Sequence, residues 1–473
     1  MTAASQAAVV LTRRQSSILA VVLTAYFMIL LDLSIVYTGL PDIGASMALE
    51  PIALSWVQNA YLLCFGGFLL LSARLGDAFG RKRMFQLGIV LFTLASMVIG
   101  LAQTAWELIA ARAVQGVAAS IIAPMVLSII TDTFAEGRER TKALSLYSMV
   151  AGFGVSLGMV LGGIFAGVVS WRVGFLINLP IGIGLWLAVG RIIEETDRVA
   201  GRFDVLGSAL STIGIAALVY GIVNSAAYGW TNPLTVTPLI GALVILTVFV
   251  LAQGRVASPI LPLRLFASAE RSAAYIARML VVGAIVAFFY FTTQFLQQVL
   301  GYSPLWAGLA FLPMTIPTFF AAVAVPQMTR AIGQIGVLVL ATFSIGTGLL
   351  WLAQASGENY WLEIALPMVL LGIGNGAALP PLTTFALWNV DRAEQGAASG
   401  MVNVAHQIGG SLGLSLLVLV FAAASQPDLS GSALLAHRIE AALAGAGIMS
   451  LTAMALALVV LAPRHYRSSR PVH

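Results

Sequence analysis

The chain has 473 residues, of which 59% are apolar and only 9% charged. Soluble domains run at about 45–50% apolar and about 25% charged, so a chain of this length with so few charges cannot cover a water-facing surface. It reads as an all-α integral membrane protein. A net charge of +5 carried by scattered basic residues argues against nucleic-acid binding, and Cys64, the only cysteine, excludes a disulfide scaffold.

A helix crossing about 30 Å of hydrocarbon needs about 20 mostly apolar residues. That ruler finds fourteen transmembrane spans. Span 1 (17–39) follows Arg13 and Arg14, is too long for the apolar region of a signal peptide, and reads as retained. It carries Asp32. Span 2 (52–73) carries Gln58 and Asn59, candidates for a substrate cavity. The segment Gly76-Asp77-Ala-Phe-Gly80-Arg81-Lys82-Arg83 then turns into span 3 (84–103). Glycines permit the tight turn and basic residues suit a cytoplasmic surface. Neither explains the acid at Asp77, which could bridge to arginines that separate when the protein opens inward, as a gate latch.

Span 4 (106–130) carries Arg112. At 1.5 Å per residue, Asp32 and Arg112 both lie roughly 10 Å below the outer surface. An ionisable residue inside a span costs about 2.5–3.5 kcal/mol, so each needs a reason. Two readings stay open: a structural ion pair, or a proton-coupling or cation site. Span 5 (143–169) carries Gly154, Gly158, Gly162 and Gly163. This flat stripe lets a neighbouring helix approach closely, for packing alone or for a rocking motion. Spans 6 (173–192), 7 (205–225) and 8 (235–252) follow.

Span 9 (272–299) holds Arg278, read as close enough to the inner end to snorkel and without a function. Spans 10 (304–326), 11 (335–354) and 12 (361–385) come next, the last with Asn375 as a cavity candidate. In span 13 (397–424), Asn403, His406, Gln407 and Gly410 fall at i, i+3, i+4 and i+7, a polar stripe that must face the bundle interior. A lone histidine there reads either as hydrogen-bonded filler or as a titrating site. Span 14 (438–461) completes the set. The gaps at 193–204 and 253–271 are too short to hold a folded domain.

With a cytoplasmic N-terminus, this map puts 20 of the 24 lysines and arginines inside, Arg172 and Arg438 outside, and Arg112 and Arg278 within spans. Positive residues translocate poorly, so the asymmetry supports cytoplasmic N- and C-termini in a bacterial cytoplasmic membrane. The segment Pro326-Gln-Met-Thr-Arg330-Ala-Ile-Gly333 faintly echoes Ala73-Arg-Leu-Gly-Asp77-Ala-Phe-Gly80. That offset pairs spans 1–6 with spans 9–14 and leaves 7 and 8 inserted. The expected units are therefore 1–192, an inserted pair with its linkers at 193–271, and 272–473.

Several motifs carry a family resemblance. Leu31-Asp32-Leu-Ser34-Ile-Val-Tyr-Thr-Gly-Leu40-Pro41, the segment Ala73–Lys82, Arg112-Ala-Val-Gln115-Gly116, the span-5 glycines, Trp171–Gly182 with Asn178, and Phe295–Pro304 resemble the major facilitator superfamily. The branch they resemble is its fourteen-span drug:proton antiporters. Tyr37 stands where that branch usually has asparagine, Ala73 where it has glycine, and Met159 where it has proline. The resemblance implies two six-helix bundles around a central cavity, a proton-transfer role for Arg112, and export of bulky amphipathic compounds against inward proton flow. It also implies a monomer acting on small molecules in the bilayer, with protons as coupling ion and no other cofactor. An uncoupled or importing facilitator is the alternative, one that Met159 favours. An enzyme is not expected: four histidines and one cysteine show no metal-ligand spacing and no nucleophile–base pair.

Overall fold

The structure is a computed structural model that describes residues 11–195, 204–256, 259–390 and 394–463. Arg198, Arg202, Arg392, Arg464, Arg467 and Arg470 of the charge asymmetry, with His465 and His473, lie outside the described residues. The helices are α1 Arg13–Met47, α2 Pro51–Phe79, α3 Arg81–Leu101, α4 Ala105–Thr133, α5 Arg138–Val168, α6 Trp171–Ile192, α7 Val205–Tyr228 and α8 Pro233–Gln253. They continue as α9 Ala269–Val299, α10 Pro304–Leu352, α11 Tyr360–Ala386, α12 Gln395–Ala423 and α13 Gly431–Leu461.

Local chemistry sets their ends. Thr12 and Thr104 open α1 and α4 with capping boxes to Gln15 and Glu107, while Pro51, Pro233 and Pro304 occupy first-turn positions that need no N–H. Between α2 and α3, Gly80 turns the chain with φ 101°, a conformation that penalises a side chain.

Among the described residues, twelve helices are long and apolar enough to cross a membrane, and α5 contributes a shorter apolar stretch, Phe153–Val168. The chain is a multi-pass membrane protein. The expected count of fourteen differs from these twelve at two places. One is α5. The other is α10, whose 49 residues would run about 74 Å as one straight helix, more than twice the hydrocarbon thickness. Gly333 (φ 74°, ψ 166°) breaks it into two helices at a kink. Gly80 adopts a similar backbone (φ 101°, ψ 132°), so the two glycines of the faint sequence echo share a conformation.

Helix pairing repeats along the chain. The α1–α5, α2–α4 and α3–α6 contacts have counterparts in α9–α12, α10–α11 and α10–α13. The helix α8 packs almost wholly on α7, and α7 in turn touches both α2 and α12.

The two sets of helices meet unevenly. Towards the end where α1 runs into α2, Tyr37, Leu40, Ile43 and Trp171 share one apolar core with Phe288, Phe289, Phe311 and Met314. There Gln297 donates to the Thr38 carbonyl at 2.8 Å and the Tyr290 hydroxyl to that of Pro51 at 2.7 Å. The core at the other end is built mostly from residues of the first six helices, with Val404 and Ile408 of α12 among its buried members. One end is sealed by a large shared core; at the other the shared core is narrower, joined by Val404 and Ile408 with Met279, Val286, Met401 and Leu412 packed against it.

Candidate functional site

Asp32 sits on α1, Arg112 on α4, and both side chains are wholly enclosed. The guanidinium Nη1 donates to Asp32 Oδ2 at 2.7 Å and to Gln115 Oε1 at 2.7 Å. Its Nε donates to the Val57 carbonyl at 3.0 Å and Nη2 to Gln58 Oε1 at 3.3 Å. The other carboxylate oxygen, Oδ1, accepts from Gln115 Nε2 at 2.7 Å and Asn178 Nδ2 at 3.0 Å. Both amides also donate to Ser96 Oγ, at 2.8 and 3.2 Å. The Tyr61 ring lies 4.3 Å under the guanidinium carbon. Five helices thus converge on one acid.

The equal depth read from the sequence is what brings Asp32 and Arg112 together. Ser96 and Tyr61 were not foreseen; a serine and a tyrosine in apolar runs give no signal of their own. Gln58 and Asn59 need correcting as cavity residues, because both are fully buried. Gln58 belongs to the ion-pair network. Asn59 donates to Ser415 Oγ at 3.1 Å and accepts from Ser411 Oγ at 2.9 Å, so it ties α2 to α12.

At the unsealed end, Asp77 accepts from Arg81 Nη2 at 3.1 Å, and Arg81 also pairs with Asp132 at the end of α4. Glu195 accepts from the backbone N–H groups of Lys82 (3.0 Å) and Arg83 (3.3 Å), while Lys82 Nζ donates to the Gly190 carbonyl at 2.9 Å. Gly76 fits against Met125 so closely that a Cβ would collide with its thioether. These partners of Asp77 belong to the first six helices, unlike a latch drawn across the seam. Nearby, the Arg14 guanidinium 2.6 Å from Glu194 holds that exposed carboxyl below its usual range.

The α5 glycines divide between two neighbours. Gly154 lies against Leu30 and Phe27, Gly158 against Ser34, and Gly162 against Ile35 and Thr38, all on α1. A Cβ on Gly162 would stand 2.8 Å from the Ile35 Cα, whereas one on Gly163 would stand 2.9 Å from the Leu305 Cα, across the seam on α10. Met159 is buried beside them, its carbonyl against Gly308. Gly162→Val should therefore lower stability by about 1–3 kcal/mol through overpacking within the first six helices. Gly163→Val should instead wedge the sealed end open. In protein with Cys64 replaced by serine and a reporter cysteine at Gln297, maleimide labelling should speed up with Gly163→Val and stay unchanged with Gly162→Val.

The expected α12 stripe splits. Asn403 is exposed and donates to the Ser399 carbonyl at 3.3 Å in its own helix. Gln407 packs on Gly66 of α2. His406 is half-buried, with no partner for Nδ1. Asn375 is half-buried between Gly374 and Gly376, which seat α11 on α10. Arg278 is 7% exposed, so it does not snorkel into water; its Nη1 donates to Thr383 Oγ1 at 3.0 Å.

Residues 22–414 match the Major Facilitator Superfamily profile. The chain belongs to the major facilitator superfamily. It is 36% identical to the cephamycin export protein of Amycolatopsis lactamdurans over 96% of this chain and 93% of that one. With a puromycin resistance protein of Streptomyces alboniger it shares 34% identity, over 87% of this chain and 83% of the relative. A solved bacterial homologue of the human lysosomal transporter Spinster, in an inward-facing and unoccupied conformation, superimposes with a TM-score of 0.68. That match covers 98% of this chain and 99% of the other at 14% identity, a likeness of fold. Of these relatives of the superfamily protein, one is named for the export of an antibiotic and one for resistance to an antibiotic, and the structural neighbour is a homologue of a transporter.

Proposed function

We propose that this superfamily member exports bulky amphipathic or drug-like small molecules in exchange for protons, by alternating access. The observation that carries the coupling is Asp32: among the described residues it is the only acid with no exposed surface, and it is held by groups from α4 and α6 within a network that also draws on α2 and α3. A carboxylate so enclosed exchanges its charge only when the helices around it move, which links protonation to conformation. Direct competition between substrate and proton for Asp32 is not favoured, because its oxygens are occupied by Arg112, Gln115 and Asn178. Substrate and proton then communicate through the helices.

Fourteen crossings follow if α5 and both parts of α10 each cross. Residues 1–192 and 272–473 then form the two rocking halves, with 193–271 inserted between them. The sealed end faces outward, so this form opens to the cytoplasm, where both termini lie. The closed contact at Gly163, Pro304 and Gly308 is the outer gate. The protein works as a monomer, with protons as the coupling ion.

Inverted membrane vesicles acidified inside test this reading. Puromycin should accumulate in them, about tenfold for each proton exchanged per unit of pH gradient, and its addition should drain the gradient. Accumulation that survives dissipation of the gradient would leave an uncoupled facilitator; no accumulation of puromycin or of a panel of toxic amphipathic compounds would overturn the export reading.

A further inference from the structure

Among the described residues, two buried side chains of full charge lie outside the Asp32 network: Glu394, which pairs with Arg264, and Arg278, which has no ion pair. It lies on α9, is more than nine-tenths buried, and its Nε has no hydrogen-bond partner. Its only side-chain partner of record is a neutral one, the Thr383 hydroxyl on α11 at 3.0 Å. On α12, which packs on α9, His406 also carries an unpartnered nitrogen, Nδ1. The two helices are held in close contact there, since Gly409, three residues beyond His406, sits directly on the backbone of Met279. Two basic groups on adjacent, closely packed helices therefore each carry an unsatisfied nitrogen and, among the described residues, neither has an ion pair.

A buried cation persists in a bilayer when something compensates its charge, and a neutral hydroxyl compensates little. The guanidinium presents a planar fork that fits a carboxylate; Thr383, whose own hydroxyl donates to the Leu379 carbonyl at 2.9 Å, holds that fork in place, and the imidazole can add a donor. His406 and Thr383 are only half-buried, which leaves the group partly accessible.

We propose that Arg278, Thr383 and His406 form a carboxylate-binding subsite that receives the anionic group of an amphipathic acid. This rests on the export reading for its biological use but not for its measurement. It places acid recognition in the second set of helices and the Asp32–Arg112 pair in the first, so one protein can bind an organic acid without bringing it to the coupling carboxylate.

The test uses purified full-length protein and two dyes that differ in one group: rhodamine 110, with a free carboxylate, and its methyl ester, rhodamine 123. Binding is read by fluorescence anisotropy. Wild-type protein should bind the acid at least about tenfold tighter than the ester, the effect of one good charge-assisted contact. Arg278→Gln should erase that preference by weakening the acid alone, and Arg278→Lys should restore part of it. His406→Asn should weaken the acid more than the ester. Equal affinity of wild type for both dyes, or equal loss of both in Arg278→Gln, would overturn the subsite and leave Arg278 a structural tie to α11. An intact acid preference in protein that fails to exchange drug for protons supports the subsite and removes only the exchange reading.

Discussion

Asp32→Asn is expected to abolish proton-driven efflux while a folded, monodisperse protein still reaches the membrane. Asparagine keeps the size of the side chain and an acceptor oxygen, so Gln115 and Asn178 can still be met. Arg112 loses its counter-charge but keeps the Val57 carbonyl, Gln115, Gln58 and the Tyr61 ring. What disappears is the group that can gain and lose a proton. One charge crossing about 100 mV releases about 2.3 kcal/mol, enough for roughly a fiftyfold concentration ratio, and that ratio should collapse to one. Counterflow, in which labelled drug exchanges for unlabelled drug without a gradient, should persist. Efflux by Asp32→Asn at the wild-type rate would move the coupling site elsewhere.

Arg112→Met is expected to destabilise the protein more than any other single change at this site. It leaves the Asp32 charge enclosed with only two amide donors, and breaking a buried ion pair from one side costs about 3–5 kcal/mol. The double variant Arg112→Met with Asp32→Asn leaves no charge behind, so it should be more stable than Arg112→Met alone and close to wild type. Thermal unfolding in detergent of the four proteins of this cycle measures the difference. A double variant no more stable than Arg112→Met would mean that packing around the guanidinium, against Tyr61 and Phe175, outweighs the charge.

Composition settled the solvent, and hydropathy settled most of the helices, because in hydrocarbon a backbone can satisfy its own polar groups only as a helix or a closed barrel. The pairing of Asp32 with Arg112 was legible for a related reason. Helical rise converts position along a span into depth, and two opposite charges at one depth in a low-dielectric medium have strong cause to meet. The close packing of Gly154, Gly158 and Gly162 on a neighbour was equally readable from their spacing, though not that the neighbour is α1, nor that Gly163 turns to α10 instead.

Which way each helix turns, and what stands opposite, was decided by the tertiary structure alone. Gln58 and Asn59 are consecutive polar residues of one span. Rotation of about 100° between them sends the first to Arg112 and the second to α12. Arg278 has the same distance from a helix end whether it reaches water or not; the packing of α9 on α11 and α12 keeps it from water and sets it on Thr383. Depth is a one-dimensional property and the sequence carries it. Azimuth depends on the shape of every neighbouring helix at once, and the sequence alone holds no local record of it.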